Sequence, residues 1–283
     1  MKILSSVWGQ PSITDHFSIK KNETSGYSWE LITHNSLKTP LESLAEILSD
    51  KIIEFRCQRA KKLYAAWRGK KYNGIDYDDI INKSLIGFIE PAFGSPNSKK
   101  RSEDHIIGLV AQYLWYFMVK ELSTDRIIDI KSPGFAVTDG GGDGVLIHEI
   151  NKGEFYFRLW EIKKNTGPTT QLNQTVNNAY SQLNSKALEY IARYLAEGQE
   201  SDNESLNTFY GKMQDFWINH SKEANVGIAI STNLTKVSED CFENFNSKFP
   251  EFQIKDQLKG MLSVIDDFGS FSEKVKEEVW KGL

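Results

Sequence analysis

The chain has little of several features that mark specialised classes of protein. Only two cysteines, Cys57 and Cys241, occur among its 283 residues, and they form no CxxC or zinc-ligand pattern. No stretch reaches the roughly 18 consecutive apolar residues of a membrane helix, and the N-terminus lacks the apolar core of a signal peptide. These absences predict a cytoplasmic protein with reduced thiols and no membrane partner.

The chain also lacks a large excess of charge of one sign and the sequence motifs of nucleotide-binding proteins. The 38 acidic and 34 basic residues give a net charge of −4, which argues against a protein that coats nucleic acid by bulk charge but leaves a local basic patch open. No GxxxxGK[ST] motif occurs, so we expect this chain to bind no nucleotide itself. No nucleophile elbow or Cys–His constellation supports a serine or cysteine hydrolase, and the five histidines show no metal-ligand spacing.

Apolar periodicity divides the chain into two regions. The first, residues 1–101, is predicted to be a mainly helical region for partner or DNA contact. Its first forty residues are expected to be irregular, and a helix with apolar residues at spacings of three and four begins at Leu41, capped by Thr39. A polar gap over residues 91–104, rich in turn formers and charge, leads to the second region, residues 102–283.

The second region alternates helices with strands. Its first helix is apolar nearly all round, which places it in the centre of a domain. This order predicts an α/β fold with a mixed β-sheet flanked by helices. The predicted strands are residues 144–150, 154–163, 226–231 and 262–265, and the predicted helices are residues 102–121, 174–195 and 209–220.

Chemistry-bearing residues concentrate in residues 138–164, TDGGGDGVLIHEINKGEFYFRLWEIKK. Because side chains alternate along a strand, the second strand has one face that is apolar at first and ends in Glu161 and Lys163. Asp143 follows three glycines and begins the preceding strand, which hairpin pairing brings alongside. Whether Asp143 lies level with Glu161 depends on strand bending. His148 lies at an odd offset from Asp143, so on a regular strand its side chain leaves the face opposite to the acids. It is therefore expected to have a structural role.

Two carboxylates and an ammonium at a strand end have a clear chemical use. Asp143, Glu161 and the backbone carbonyl of Ile162 would supply oxygen ligands to Mg²⁺, with Mn²⁺ as a substitute. The metal would lower the pKa of a bound water and neutralise charge on a scissile phosphate, while Lys163 orients that water or stabilises the transition state. A surface salt bridge is the alternative, because the same acid–x–Lys spacing occurs at Asp129-Ile130-Lys131.

The arrangement resembles the PD-(D/E)xK nuclease superfamily, with Asp143 as the first acid, Glu161 as the second and Lys163 as the lysine. The first acid here follows Gly142 in place of proline. More closely, TDGGGDGVLIH…FRLWEIKK and TVNNAYSQLNSKALEYIA, within residues 102–196, resemble the nuclease subunit of the Hachiman antiphage defence system, the HamA family. The resemblance implies a restriction-endonuclease-like core, DNA nuclease activity, and a superfamily-2 helicase partner that restrains or licenses the nuclease.

The resemblance also implies contributions from neighbouring helices. Members of the superfamily often add a glutamine from the helix after the sheet, for which Gln182 is the candidate, with Lys186 one turn further along the same face. Gln182 could equally be a plain surface amide. An acid often comes from the helix before the sheet, where this chain has Gln112; Glu103 and Asp104 could substitute, or could serve only as partners of the helix dipole.

A basic stretch over residues 56–72 contains no acid. It could grip phosphates, with Tyr64 and Trp67 available for stacking, or form a solvated helix face, or dock an acidic partner. With the cations near the candidate site included, the candidate nucleic-acid-binding residues are Arg59, Lys62, Arg68, Lys70, Lys71, Lys164 and Lys186.

These observations predict a Mg²⁺-dependent deoxyribonuclease that acts in antiphage defence under the control of a helicase partner. The alternative is a non-cutting DNA-sensing or partner-clamping subunit with a nuclease fold, although burial of unused charges at Asp143, Glu161 and Lys163 would be costly. A restriction-type enzyme that reads sequence itself would need a base-reading element, and no such element is recognisable.

Overall fold

The computed structural model describes residues 11–96, 103–136, 144–167, 170–198, 201–234, 237 and 240–283. Within these residues the chain forms seven strands and nine helices, after a short 3-10 helix at Ile13–His16. The strands are β1 (Phe17–Glu23), β2 (Ser28–His34), β3 (Arg126–Ile130), β4 (Gly144–Asn151), β5 (Glu154–Asn165), β6 (Ala224–Thr232) and β7 (Leu258–Val264). The helices are α1 (Leu41–Arg56), α2 (Lys61–Asn73), α3 (Asp79–Phe93), α4 (Glu103–Leu122), α5 (Thr170–Glu197), α6 (Glu204–Tyr210), α7 (Met213–Ile218), α8 (Phe245–Lys248) and α9 (Phe268–Trp280). No helix in these ranges is both long and apolar enough to cross a membrane.

The seven described strands join in one mixed sheet, in the order β1-β2-β7-β6-β5-β4-β3. Strands β2, β7, β6 and β5 run parallel to one another, whereas β1 pairs antiparallel with β2 on one side and β4 pairs antiparallel with β5 and β3 on the other. Because parallel strands end at the same edge of a sheet, the carboxyl ends of β5, β6 and β7 lie side by side. The predicted α/β class with a mixed sheet is confirmed.

Helices cover both faces of the sheet, and the side chains of β5 divide between them. Trp160 and Ile162 belong to the apolar cluster formed with α1, α4 and α9, which we call the α4 face. Phe157 and Leu159 belong to the cluster formed with α5, α6 and α7, which we call the α5 face. Alternate residues of β5 therefore point to opposite faces, as the sequence predicts.

Helix α4 fills the centre of the α4 face. Its apolar side chains are buried on most sides, as the sequence predicts. The ring of Trp115 lies 5.9 Å from the ring of Trp160 on β5, and a β-carbon on Gly144 would lie 2.3 Å from the Trp115 ring. Because Gly144 has no side chain, α4 can pack directly against the beginning of β4.

The prediction that the first forty residues are irregular is wrong for residues 17–34. Strands β1 and β2 form an antiparallel hairpin, and β2 then pairs in parallel with β7, with Ser28 opposite Lys259. Helix α1 also packs against α9. Described elements on both sides of residue 102 therefore share one sheet and one apolar cluster, and the division into residues 1–101 and 102–283 stays a prediction.

Two local expectations also differ from the structure. The single helix expected over residues 209–220 is two helices, α6 and α7, separated by Gly211 and Lys212. Thr39 does not cap α1, because its hydroxyl shares a hydrogen bond of 2.8 Å with Nδ1 of His16, and Pro40 occupies the cap position. This contact attaches the start of α1 to the segment before β1.

The contact between Trp160 and Gly227 predicts a measurable effect on stability. Gly227 is the β6 neighbour of Trp160, and a β-carbon at Gly227 would lie 2.3 Å from the Trp160 ring. Gly227→Ala should therefore lower the free energy of unfolding by about 1–3 kcal/mol through overpacking. Gly87→Ala in α3, where no described atom outside the adjacent helix backbone lies within 4 Å of the added carbon, should raise it by up to about 1 kcal/mol. Urea denaturation measures both values, and equal effects would contradict the packing interpretation.

Candidate active site

Two charged side chains meet on the α5 face at the carboxyl end of β5. The carboxylate of Glu161 is fully buried, with 0% of the residue exposed. Lys163, two residues later, places its Nζ 2.5 Å from Glu161 Oε1, and 28% of its side chain is exposed. The period of two along the strand explains the contact, because both side chains leave the same face. Glu161 and Lys163 therefore lie on one face of the strand, as the sequence predicts.

Helix α5 supplies the next contact of Lys163. The Lys163 ammonium donates a hydrogen bond of 2.9 Å to Oε1 of Gln182, so Gln182 lies at the strand end. The amide Nε2 of Gln182 in turn donates a hydrogen bond of 2.8 Å to the hydroxyl of Tyr190, which is buried two turns further along the helix. This second bond fixes which end of the amide faces Lys163. Sequence reasoning missed Tyr190, although residues eight apart share a helix face.

Strand β4 begins beside this cluster. Gly144, its first residue, pairs with Trp160, the residue that precedes Glu161. The described pairing with β4 ends there, while β6 continues along β5 as far as Asn165. Asp143, the first predicted acid, lies outside the described residues.

A cleft of about 320 Å³ lies between the end of β5 and the beginning of α4. Lys163 and Gln112 both line this cleft. Lys164 lines it as well and forms an ion pair with Asp104, so that acid is engaged by a lysine. The exposed His105 also lines it, which sequence reasoning did not anticipate because His105 belongs to no motif. The side chain of Glu103 lies outside the described residues.

The described part of the chain contains only some of the predicted metal ligands. Among the described residues, no group of three or more His, Cys, Asp or Glu side chains is arranged to hold a metal ion. The Glu161 carboxylate and the Ile162 carbonyl belong to consecutive residues at the end of β5. Hard cations such as Mg²⁺ prefer oxygen donors of this kind, so these two groups fit that ion chemically.

The predicted nucleic-acid-binding cations divide into two groups. Arg59, Lys62 and Lys186 are exposed, and none of them forms an ion pair with a described acid. The other four are engaged by acids that lie elsewhere in the chain. Their pairs are Arg68 with Asp50, Lys70 with Asp76, Lys71 with Glu278 and Lys164 with Asp104.

Two of the predicted nucleic-acid contacts conflict with the structure. The side chain of Lys71 is only 3% exposed and its ammonium lies 3.0 Å from Glu278, which leaves no surface for a phosphate. Trp67 is fully buried and donates a hydrogen bond to the carbonyl of Val279, so it cannot stack on a base. Tyr64 donates its hydroxyl proton to Asp50. These side chains attach α2 to α1 and α9.

His148 occupies the α4 face, away from Glu161. It is 3% exposed, and its ring stacks on Tyr156 at a centroid distance of 4.7 Å. Burial, reinforced by the positive charge of Arg158, lowers the pKa of His148 to about 4. The ring is therefore neutral near pH 7 and packs as an aromatic group, in agreement with the structural role expected from its offset.

The chain matches no protein-family profile and no curated protein sequence. A functional assignment has to come from the side-chain chemistry at the carboxyl end of β5.

The Glu161–Lys163 pair predicts unequal effects when its charges are removed singly. Lys163→Met deprives the buried Glu161 carboxylate of the neighbouring ammonium, so the free energy of unfolding at pH 7 should fall by about 1–3 kcal/mol. Glu161→Gln preserves shape, removes the buried charge and keeps the bond from Lys163 to Gln182, so it should change stability by less than about 1 kcal/mol. Urea titration of both variants, and of the double variant that should recover most of the loss, measures the coupling. A larger loss in Glu161→Gln would contradict this interpretation.

The buried His148 predicts a dependence of stability on pH. Its folded pKa of about 4 lies below the ordinary 6.5, so the unfolded chain binds more protons between these values and stability falls as the pH decreases through that window. His148→Phe retains a ring against Tyr156 and removes the titrating group. The loss of unfolding free energy between pH 7 and pH 5 should therefore shrink by about 2 kcal/mol in the variant. Urea unfolding at both pH values tests this, and an unchanged loss would show that His148 does not titrate as expected.

Proposed function

We propose that this chain is a Mg²⁺-dependent deoxyribonuclease with its active site at the carboxyl end of β5. The observation that carries the proposal is the convergence of the buried Glu161, Lys163 2.5 Å away and Gln182 from the following helix, beside a cleft. An acid, a lysine on the same strand face and an amide from the next helix are what the resemblance to PD-(D/E)xK nucleases implies. A restriction-endonuclease-like core is part of the proposal.

Glu161 and the carbonyl of Ile162 would hold the ion together with Asp143. Asp143 precedes Gly144 in the chain, and the pairing of Gly144 with Trp160 supports a ligand set drawn from both strands. When bound, Mg²⁺ supplies an acidified water and neutralises charge on the scissile phosphate. Manganese could replace it, because the donors are oxygens in either case.

Lys163 would stabilise the negative charge that develops on the phosphate, or orient the attacking water. Its ammonium is held by Glu161 and by Gln182, yet it also lines the cleft. A cation held in place before the reaction stabilises developing charge without reorganisation during it. Gln182 and Tyr190 would act as positioning residues, because their hydrogen bonds keep the amide oxygen directed at Lys163.

DNA would be held by exposed cations outside this cluster. Lys186 lies one turn beyond Gln182 on α5 and is exposed, and it would contact the backbone of a strand that enters the site. Arg59 and Lys62 are exposed near the beginning of α2 and would extend the contact. The resemblance supports the further proposal that the protein acts in the cytoplasm, in antiphage defence, with a superfamily-2 helicase.

Cleavage of supercoiled and linear DNA in Mg²⁺ tests the proposal, with the chain alone and with a co-purified helicase partner. Glu161→Gln and Lys163→Met should each lower the cleavage rate by about 100-fold or more, because the first removes a metal ligand and the second removes a positive charge at the reacting phosphate. The matched controls are Glu154→Gln, at the first residue of β5, and Lys152→Met, in the turn before it. Both controls should cut at the wild-type rate, and circular dichroism should show that all four variants are folded.

Metal binding gives a second readout that depends on no partner. Calorimetric titration should detect Mg²⁺ or Mn²⁺ binding to the wild-type chain and to Glu154→Gln, and should detect none with Glu161→Gln. A wild-type chain that binds neither ion and cuts no DNA in either mixture would overturn the proposal. DNA binding without cleavage would then favour the non-cutting subunit.

A further inference from the structure

A second cavity lies at the opposite end of β5. It is an open pocket of about 550 Å³, bordered by the amino-terminal part of β5, helices α6 and α7, and the segment before β7. A smaller cavity of about 40 Å³ adjoins it, and Asp125, Tyr156 and Arg158 line both. The volume of the larger cavity falls in the range of small-molecule binding sites.

Arg158 is the unusual group in these walls. The residue is only 8% exposed. One of its guanidinium nitrogens donates a hydrogen bond of 2.5 Å to the carbonyl of Asp256, and the guanidinium lies 5.9 Å from the ring of Trp160. Among the described residues, no acceptor bonds its buried Nε and no carboxylate lies within ion-pair distance of the guanidinium.

Two of the acids around Arg158 are occupied by other partners. Asp125 accepts a hydrogen bond of 2.8 Å from the hydroxyl of Tyr156, and Glu30 forms an ion pair of 3.2 Å with Lys259. Burial lowers the pKa of both Arg158 and Lys259, because a charge that is removed from water loses hydration. A buried arginine without an anion is costly, and an anionic ligand would offset that cost.

The remaining walls favour a ligand with a ring. Phe209 is buried in the wall and Phe216 is half-buried, so both offer aromatic surface to the cavity. The lining carries both signs of charge, with the exposed lysines Lys212, Lys222 and Lys255 and the acids Asp125, Glu154, Glu223 and Asp256. Arg158 is the buried cation among these groups, and an anionic ligand would offset the cost of its burial.

We propose that this cavity binds a small ligand that carries a phosphate and an aromatic ring, of the size of a nucleoside monophosphate. The phosphate oxygens would accept hydrogen bonds from the guanidinium of Arg158, whose planar donors match their geometry, and the ring would pack against Phe209 and Phe216. The chain lacks a P-loop, which led to the expectation that it binds no nucleotide, but recognition by an arginine side chain requires no such loop.

The site is separate from the candidate active site. Arg158 and Glu161 are three residues apart on β5, so their side chains leave opposite faces of the sheet and lie about 10 Å apart along the strand. Ligand binding here is expected to persist when Glu161 is changed. The inference therefore stands or falls independently of the proposed nuclease activity.

Calorimetric titration of the full chain with dAMP tests the proposal, with inorganic phosphate and with deoxyadenosine as separate probes. The wild-type chain should bind one dAMP and should bind each separate part more weakly. Arg158→Met should weaken dAMP binding by about 10- to 100-fold, because it removes charge-assisted hydrogen bonds to the phosphate. Phe216→Ala, at a half-buried wall position, provides a second variant in case Arg158→Met fails to fold, and should weaken dAMP binding several-fold while leaving phosphate binding unchanged.

Two matched variants separate the possible outcomes. Lys83→Gln, an exposed lysine on α3, and Glu161→Gln should both bind dAMP like the wild type. The proposal is overturned if the wild-type chain binds no dAMP at millimolar concentration, or if a folded Arg158→Met variant or Phe216→Ala binds it as tightly as the wild type. Loss of dAMP binding in Glu161→Gln would also overturn it, because the nucleotide would then occupy the candidate active site.

Discussion

Every second side chain of β5 points to the same face of the sheet, and helices bury both faces. On such a strand a charged side chain must be paired, or lie where the strand leaves the core, because an unpaired buried charge loses its hydration without compensation. Glu161 and Lys163 satisfy both conditions on the α5 face. Arg158 satisfies neither on the α4 face, since its hydrogen bond goes to a backbone carbonyl. The first cluster is held together by protein groups, whereas no described carboxylate lies within ion-pair distance of Arg158.

A third group of charges shows how this chain uses ions for structure alone. Asp50 on α1 accepts hydrogen bonds from Tyr64 and Tyr72 and lies 3.3 Å from Nε of Arg68. Lys71 on the same helix as these three residues reaches across to Glu278 on α9. Each charge in this group has a partner on another helix, so the contacts attach α1, α2 and α9 to one another. The Glu161–Lys163 cluster differs because its lysine also faces a cleft.

The parts of the structure that could be predicted from sequence are those with local signals. The β4–β5 hairpin was predictable because a turn containing Gly153, with φ of +82°, separates two alternating runs. Strand β1 was not predictable, since most of its residues are exposed and its sheet continues through β2 to β7, near the other end of the chain. The ion pair of Lys71 in the basic stretch could not be predicted from the sequence for the same reason, because its partner Glu278 is distant along the chain. Glu161 and Lys163 were predictable from strand alternation, whereas the position of Asp143 was left open by the sequence and lies outside the described residues.

Internal pairing of cations also limits how firmly this chain could hold DNA by itself. Of the seven cations predicted to contact nucleic acid, Arg59, Lys62 and Lys186 are exposed without an ion pair to a described acid. Each neutralised phosphate contributes about 0.9 to the slope of log affinity against log salt, so three contacts would give a slope of about 3, well below that of proteins with six to ten contacts. If these three were the only contacts, DNA binding would be weak at physiological salt, and a partner that grips the duplex would supply the missing attraction. For the proposed nuclease, the pairing of these cations is therefore in keeping with dependence on a DNA-binding partner.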